Sequence, residues 1–222
     1  YCINFNSFVY AFFILKLDLK NKNNTLKIDI NRIYTTFRDD RAYSCLVIGL
    51  VLFMFGYTVM TSILPQFFAS HYQNTDASKL FALLLSINGI TVITCQFFVY
   101  FFSKRTSIKT AMITGAALLP MSLFVLGTVD DIIFKCIAMV VFTLGEMLVF
   151  TMMDIRIDEL SDCNYKGTYY SLAGLQNLGA LLVPIIGGLC LDRIQQDWLL
   201  FGLLSIITSF SILFFYKSNK LA

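Results

Sequence analysis

Six long, predominantly apolar runs, 43–67, 80–102, 108–129, 132–155, 168–191 and 198–216, constrain this chain more than any other feature. About 20 such residues make a helix long enough to cross the hydrocarbon of a bilayer. No water reaches backbone N–H and C=O groups there, so a crossing segment is a helix or a strand of a closed barrel. Barrel strands are about ten residues long and alternate apolar with polar positions; these runs are longer and do not alternate. They predict an all-α integral membrane fold with six complete spans. A seventh apolar run, 2–15, is too short to cross and is expected to be the end of a truncated span. The chain begins at Tyr1 with no charged segment ahead of that run, so the run does not read as a signal peptide.

Charge supports this reading and excludes others. Only 14% of residues are charged, against about 25% in soluble domains, which leaves too few to clothe a water-facing surface. A net charge of +3 gives no sign of a nucleic-acid partner. The six cysteines (Cys2, Cys45, Cys95, Cys136, Cys163, Cys190) form no CxxC pair, and His71 is the single histidine. No disulfide framework, zinc site or other metal site is legible. No nucleophile–base set or cluster of acids at one depth suggests an enzyme, and no cofactor is expected.

Lysine and arginine set the expected orientation. One side of the six spans would hold Lys16, Lys20, Lys22, Lys27, Arg32, Arg38 and Arg41, then Lys104, Arg105 and Lys109, then Arg156 and Lys166, then Lys217 and Lys220. The other would hold Lys79, Lys135 and Arg193. Fourteen against three places the first side in the cytoplasm of a cell (plasma) membrane protein, with loop 18–42 and the C-terminus on that side. The expected organisation is a span end at 1–17, a central loop at 18–42, a six-helix bundle at 43–217 and a tail at 218–222. Within the loop, Leu26, Ile30, Ile33 and Phe37 are spaced 4, 3 and 4, with Lys27, Asn31, Arg32, Thr35 and Arg38 between them. That spacing predicts a helix lying on the membrane surface; a flexible linker is the alternative. The Lys/Asn run 20–24 precedes it.

In a bilayer the informative residues are those that are costly to bury. A carboxylate at the centre of a span costs about 2.5–3.5 kcal/mol on insertion scales. One acid, Glu146, lies near the middle of a span. It is expected to face other helices or a water-filled cavity, and a carboxyl group there can load and release a proton. Its alternative role is a protonated carboxyl bonded to a neighbouring helix. Asp154, two turns on, belongs with Arg156, Asp158 and Glu159 to a charged, solvated helix end. Tyr57 with Thr58, Asn88 with Gln96, and Gln176 with Asn177 place polar groups mid-way along three further spans. Each is either a hydrogen-bonding link between helices or part of a shared cavity wall. Ala173, Ala180, Pro184, Gly187 and Gly188 form a small-residue stripe that suits close helix packing, and Pro184 permits a bend.

Together these residues resemble the C-terminal half of a major facilitator superfamily transporter, in its drug/proton-antiporter-like branch. The resemblance covers nearly the whole chain. Gly56-Tyr57 followed by Pro65 is similar to the family's helix-seven pattern, and Asn88, Gln96 and Ser103-Lys104-Arg105 to its helix-eight exit. Gly145-Glu146, Lys166-Gly167-Thr168-Tyr169, Gly179 and Pro184-Ile185-Ile186-Gly187-Gly188 resemble helices ten to eleven. The sequence departs from the family pattern at Lys104, where the loop motif carries Asp, at Ser107, where it carries Gly, and at Thr151, where relatives often carry Pro.

The resemblance implies two six-helix halves around a central cavity, each half built of inverted three-helix repeats. It implies proton-coupled export of small organic molecules, of multidrug or metallophore type, by alternating access, with an N-terminal six-helix half as partner. Glu146 is then the coupling candidate, and Tyr57, Asn88, Gln96, Gln176 and Asn177 are cavity candidates. Lys104, Arg105, Lys109, Asp154, Lys166 and Gly167 are gating candidates, and Gly179, Pro184, Gly187 and Gly188 packing candidates. A major facilitator uptake carrier for sugars, peptides or organic acids is the first alternative. A non-transporting membrane scaffold or truncated gene product is the second.

Overall fold

The computed structural model describes residues 38–72, 74–161 and 165–221. The expected truncated span 2–15, the surface helix over 26–37 and the Lys/Asn run 20–24 lie outside them. The described residues form helices and no strand: α1 (Arg41–Thr58), α2 (Leu64–His71), α3 (Asn74–Arg105), α4 (Ile108–Thr128), α5 (Ile132–Leu160), α6 (Lys166–Ala173), α7 (Asn177–Arg193) and α8 (Asp197–Leu221). Six helical stretches are long and apolar enough to cross a membrane: Arg41–His71, Asp76–Phe102, Ile108–Thr128, Ile132–Leu160, Lys166–Arg193 and Asp197–Leu221. We number them spans one to six.

Short polar side chains start several of these helices by accepting from N–H groups that have no partner in the first turn. Asp40 Oδ1 accepts from the Tyr43 N–H at 2.9 Å and Ser107 Oγ from the Thr110 N–H at 3.2 Å. Asp131 Oδ1 accepts from Ile133 at 2.7 Å and Phe134 at 3.3 Å. Span four continues as helix past residue 155 to Leu160, carrying the charged end 156–160 with it. At the membrane edge a helix satisfies its own backbone whatever its side chains are.

Two spans are interrupted. In span one a π turn over Val59–Ile63 joins α1 to α2. Pro65 follows at once; it has no N–H to donate, and its ring crowds the carbonyl four residues back. A widened turn absorbs that conflict. In span five a 3₁₀ turn over Gly174–Gln176 joins α6 to α7. The break in span five is therefore at Gly174–Gln176, while α7 runs as regular helix through Pro184.

The spans touch in the order α3, α5, α4, α8, α1, α7. By span number the order is two, four, three, six, one, five. Exchanging the first three spans with the last three reverses this series onto itself. Because three is odd, the second triplet enters the membrane from the opposite face, so the two triplets are an inverted repeat. Spans two and five close the two ends of the series and are the least buried.

Glycines mark where backbones come closest. A Cβ at Gly115 would lie 2.7 Å from the Gly145 carbonyl oxygen, and one at Gly145 would lie 2.9 Å from the Gly115 oxygen. That contact joins α4 to α5. Along α8, Phe201, Thr208 and Phe215 recur every seven residues and fill the notches at Gly127, Gly56 and Gly49. With lipid as apolar as leucine, helices associate through close contact of small residues rather than through hydrophobic burial.

Candidate functional site

The α3–α5 and α1–α5 contacts assemble the polar group at mid-membrane. Thr143 and Glu146 are three residues apart on α5 and so share a face. Glu146 is 5% exposed and Thr143 fully buried. Asn88 of α3 lies between them: its Nδ2 donates to Thr143 Oγ1 at 2.9 Å and reaches Glu146 Oε2 at 3.4 Å. Thr143 Oγ1 in turn donates to the Met139 carbonyl at 2.8 Å.

Tyr57 of α1 closes the other side. Its ring stacks on Phe142 with centroids 6.3 Å apart and meets Phe150 edge-on at 5.6 Å. Phe142, Glu146 and Phe150 follow one another at four-residue steps along α5, so Tyr57 straddles the turn that carries the acid. The phenol is within electrostatic reach of Glu146. Gly145, adjacent to Glu146, faces α4. The rotation of α5 that this close contact requires is the one that turns Glu146 toward α3 and α1.

The structure thus brings together Tyr57, Asn88 and Glu146. It leaves the other cavity candidates apart from them. Gln96, two turns further along α3, is exposed. Gln176 lies in the 3₁₀ turn of span five with its Oε1 buried and without a hydrogen-bond partner among the described residues. Asn177 beside it is exposed. Span five is at the far end of the packing order from α3, against α1. Thr143 was missed by sequence reasoning; the signal was a hydroxyl one helical turn before the only mid-span acid.

The gating candidates occupy the end of the bundle where α1 begins. Lys104 falls in the last turn of α3, and Arg105 after it is exposed. Lys109 Nζ donates to the Asn219 carbonyl at 3.1 Å, tying the start of α4 to the end of α8. Lys166 pairs with Asp158, Gly167 is exposed, and the Asp154 carbonyl accepts from the Tyr170 hydroxyl at 3.2 Å. Arg156, expected among solvated charges, is instead 3% exposed and donates to Glu159 at 2.9 Å. Sequence reasoning also missed a clasp at this end. Tyr43 donates its hydroxyl to the Tyr169 carbonyl, and Tyr169 donates its own to Asp40 at 3.1 Å.

Among the packing candidates, Gly179 approaches the Val51 carbonyl of α1 and Gly187 approaches Ile63, leaving no room for a Cβ at either. Gly188 faces open space and Pro184 is exposed. At the opposite end of the bundle His71 pairs with Asp197 at 3.1 Å, and the Tyr72 hydroxyl donates to Asp130 at 3.4 Å. Burial and then the Asp130 carboxylate push that hydroxyl above its ordinary range. Among the described residues no group of three or more His, Cys, Asp or Glu is placed to hold a metal ion.

A family model described as Major Facilitator Superfamily matches residues 3–177. The chain is 29% identical over 186 residues to the uncharacterised MFS-type transporter YqjV of Bacillus subtilis (strain 168), covering 84% of this chain and 44% of that protein. It is 28% identical over 143 residues to the uncharacterised MFS-type transporter YttB of the same organism, covering 63% of this chain and 36% of that one. The chain therefore spans less than half the length of the curated relatives it matches.

Proposed function

The chain belongs to the Major Facilitator Superfamily, and from that premise we propose that it is the C-terminal six-span half of a proton-coupled exporter of small organic molecules. A second six-span half completes the central cavity, and the two rock against each other to open it to either side in turn. The side bearing Arg41, Arg105, Lys109 and Lys220 faces the cytoplasm, in keeping with the excess of basic residues there.

One observation carries the coupling role: a carboxyl group, 5% exposed, held at mid-span by an amide from a second helix and covered by a tyrosine from a third. An acid at that depth is costly in a bilayer, and such residues commonly mark proton relays. Three helices meet at Glu146, so a change in its charge acts on all three contacts. The half-buried rings of Tyr57 and Phe150 beside it suit an organic rather than a strongly hydrated substrate.

Proteoliposomes holding the full-length protein test this reading. With ethidium as the probe compound and an imposed proton gradient, the wild type moves ethidium against the proton flow. Glu146→Gln is expected to abolish the pH dependence of that movement. An unchanged pH dependence in Glu146→Gln removes Glu146 from the coupling role. Movement of the probe with the protons rather than against them favours an uptake carrier.

A further inference from the structure

Glu146 has two oxygens, and the structure treats them differently. Oε2 faces the Asn88 amide. The orientation of that amide follows from Thr143. The single hydroxyl proton of Thr143 is committed to the Met139 carbonyl at 2.8 Å. Oγ1 then has only lone pairs left to offer, so the Asn88 atom 2.9 Å away must be a donor. An amide oxygen in that place would set two acceptors against each other beside the buried Thr143 hydroxyl, at the cost of an unsatisfied pair. With one N–H of Nδ2 on Thr143, the second points to Glu146 Oε2.

We propose that Thr143 is a positioning residue that locks Asn88 as a donor to Glu146 Oε2 and so leaves Oε1 as the oxygen that takes up and releases the proton. The inference rests on the proton-carrying reading of Glu146. In the loading step a hydronium ion transfers its proton to Oε1, an O–H bond forms, water departs and the carboxylate becomes neutral. Release is the reverse. The Asn88 N–H···Oε2 contact persists through both, stronger to the carboxylate because a charged acceptor strengthens it. Without the Thr143 acceptor, the amide is free to turn its oxygen to Glu146 and bond the protonated carboxyl instead, which changes the proton affinity of the acid. The ionisable groups near Glu146 are few. Tyr57 faces it from α1, and Asp154 is two turns along α5 itself, near Tyr170 of α6. Residues 110–128 of α4 carry no ionisable side chain, and residues 80–99 of α3 only Cys95.

Infrared pH-difference spectroscopy of the full-length protein in lipid nanodiscs reads the buried carboxylic C=O band with the proton as the only ligand. The band that titrates in wild type and disappears in Glu146→Gln belongs to Glu146; if no band disappears, the proton-carrying reading fails and this proposal falls with it. With that band identified, Thr143→Val and Thr143→Ala are each expected to displace its pH midpoint by about one unit, a tenfold change in proton affinity. Thr143→Ser, which restores the acceptor, returns the midpoint to the wild-type position. In an Asn88→Ala background Thr143→Val adds no further displacement. A wild-type midpoint in both Thr143→Val and Thr143→Ala overturns the proposal while leaving the coupling role of Glu146 standing. So does a displacement by Thr143→Val that survives in Asn88→Ala.

Discussion

At the first turn of α5, Lys135 carries its charge into the protein, with 2% of the residue exposed. Counting charges along the sequence treats it as a solvated residue at a span end. The fold gives it partners instead: Nζ donates to the Leu126 carbonyl at 3.2 Å and lies 5.1 Å from the centre of the Phe68 ring. Leu126 is in the last turn of α4, where carbonyls lack helical partners and the helix end bears partial negative charge. Hydrogen bonds to charged groups contribute about 1.5–3 kcal/mol. Lys135→Ala is therefore expected to destabilise the full-length protein in detergent by about that amount, read as a drop in thermal unfolding midpoint. Lys135→Met, which keeps the stem but not the donor, is expected to lose less. Glu146 was legible in the sequence because one acid in a long apolar run stands out. Lys135 and Thr143 were not, because what defines them is the carbonyl or amide they meet on another helix.

At the level of elements, each span was legible and its interruptions were not. The π turn at Val59–Ile63 follows from Pro65, whose effect on the preceding turn depends on how the helix is held. The 3₁₀ turn at Gly174–Gln176 contains a glycine and no proline. The small residues of span five look alike in sequence but do unlike things. A Cβ at Gly179 meets the backbone of α1, whereas a Cβ at Gly188 meets nothing. Overpacking a tight contact costs about 1–3 kcal/mol. Gly179→Ala is expected to lower the unfolding midpoint measurably, and Gly188→Ala to leave it unchanged within about 0.5 kcal/mol. Equal effects of the two substitutions would show that span five does not meet α1 at Gly179.

At the scale of the described bundle the inverted repeat appears in the packing order of the spans. Spans one, two and four carry the polar centre, while spans two and five also close the two ends of the series. Membrane orientation is the testable property at this scale. In a version without native cysteines, a membrane-impermeant maleimide added to intact cells is expected to label Gln195→Cys and not Gly167→Cys; the reverse pattern would invert the topology proposed above. Both positions are exposed, at opposite ends of span five. The six membrane-capable stretches among the described residues were legible in the sequence alone, because hydropathy is summed over each local segment. Which faces meet was decided only in the tertiary structure. A span apolar on every side has no polar stripe to mark its rotation, and lipid offers no hydrophobic drive to choose one. Glycine contacts and a few buried hydrogen bonds make that choice. That is why Asn88 reaches Thr143 and Glu146 while Gln96, an equally polar residue on the same helix, stays exposed.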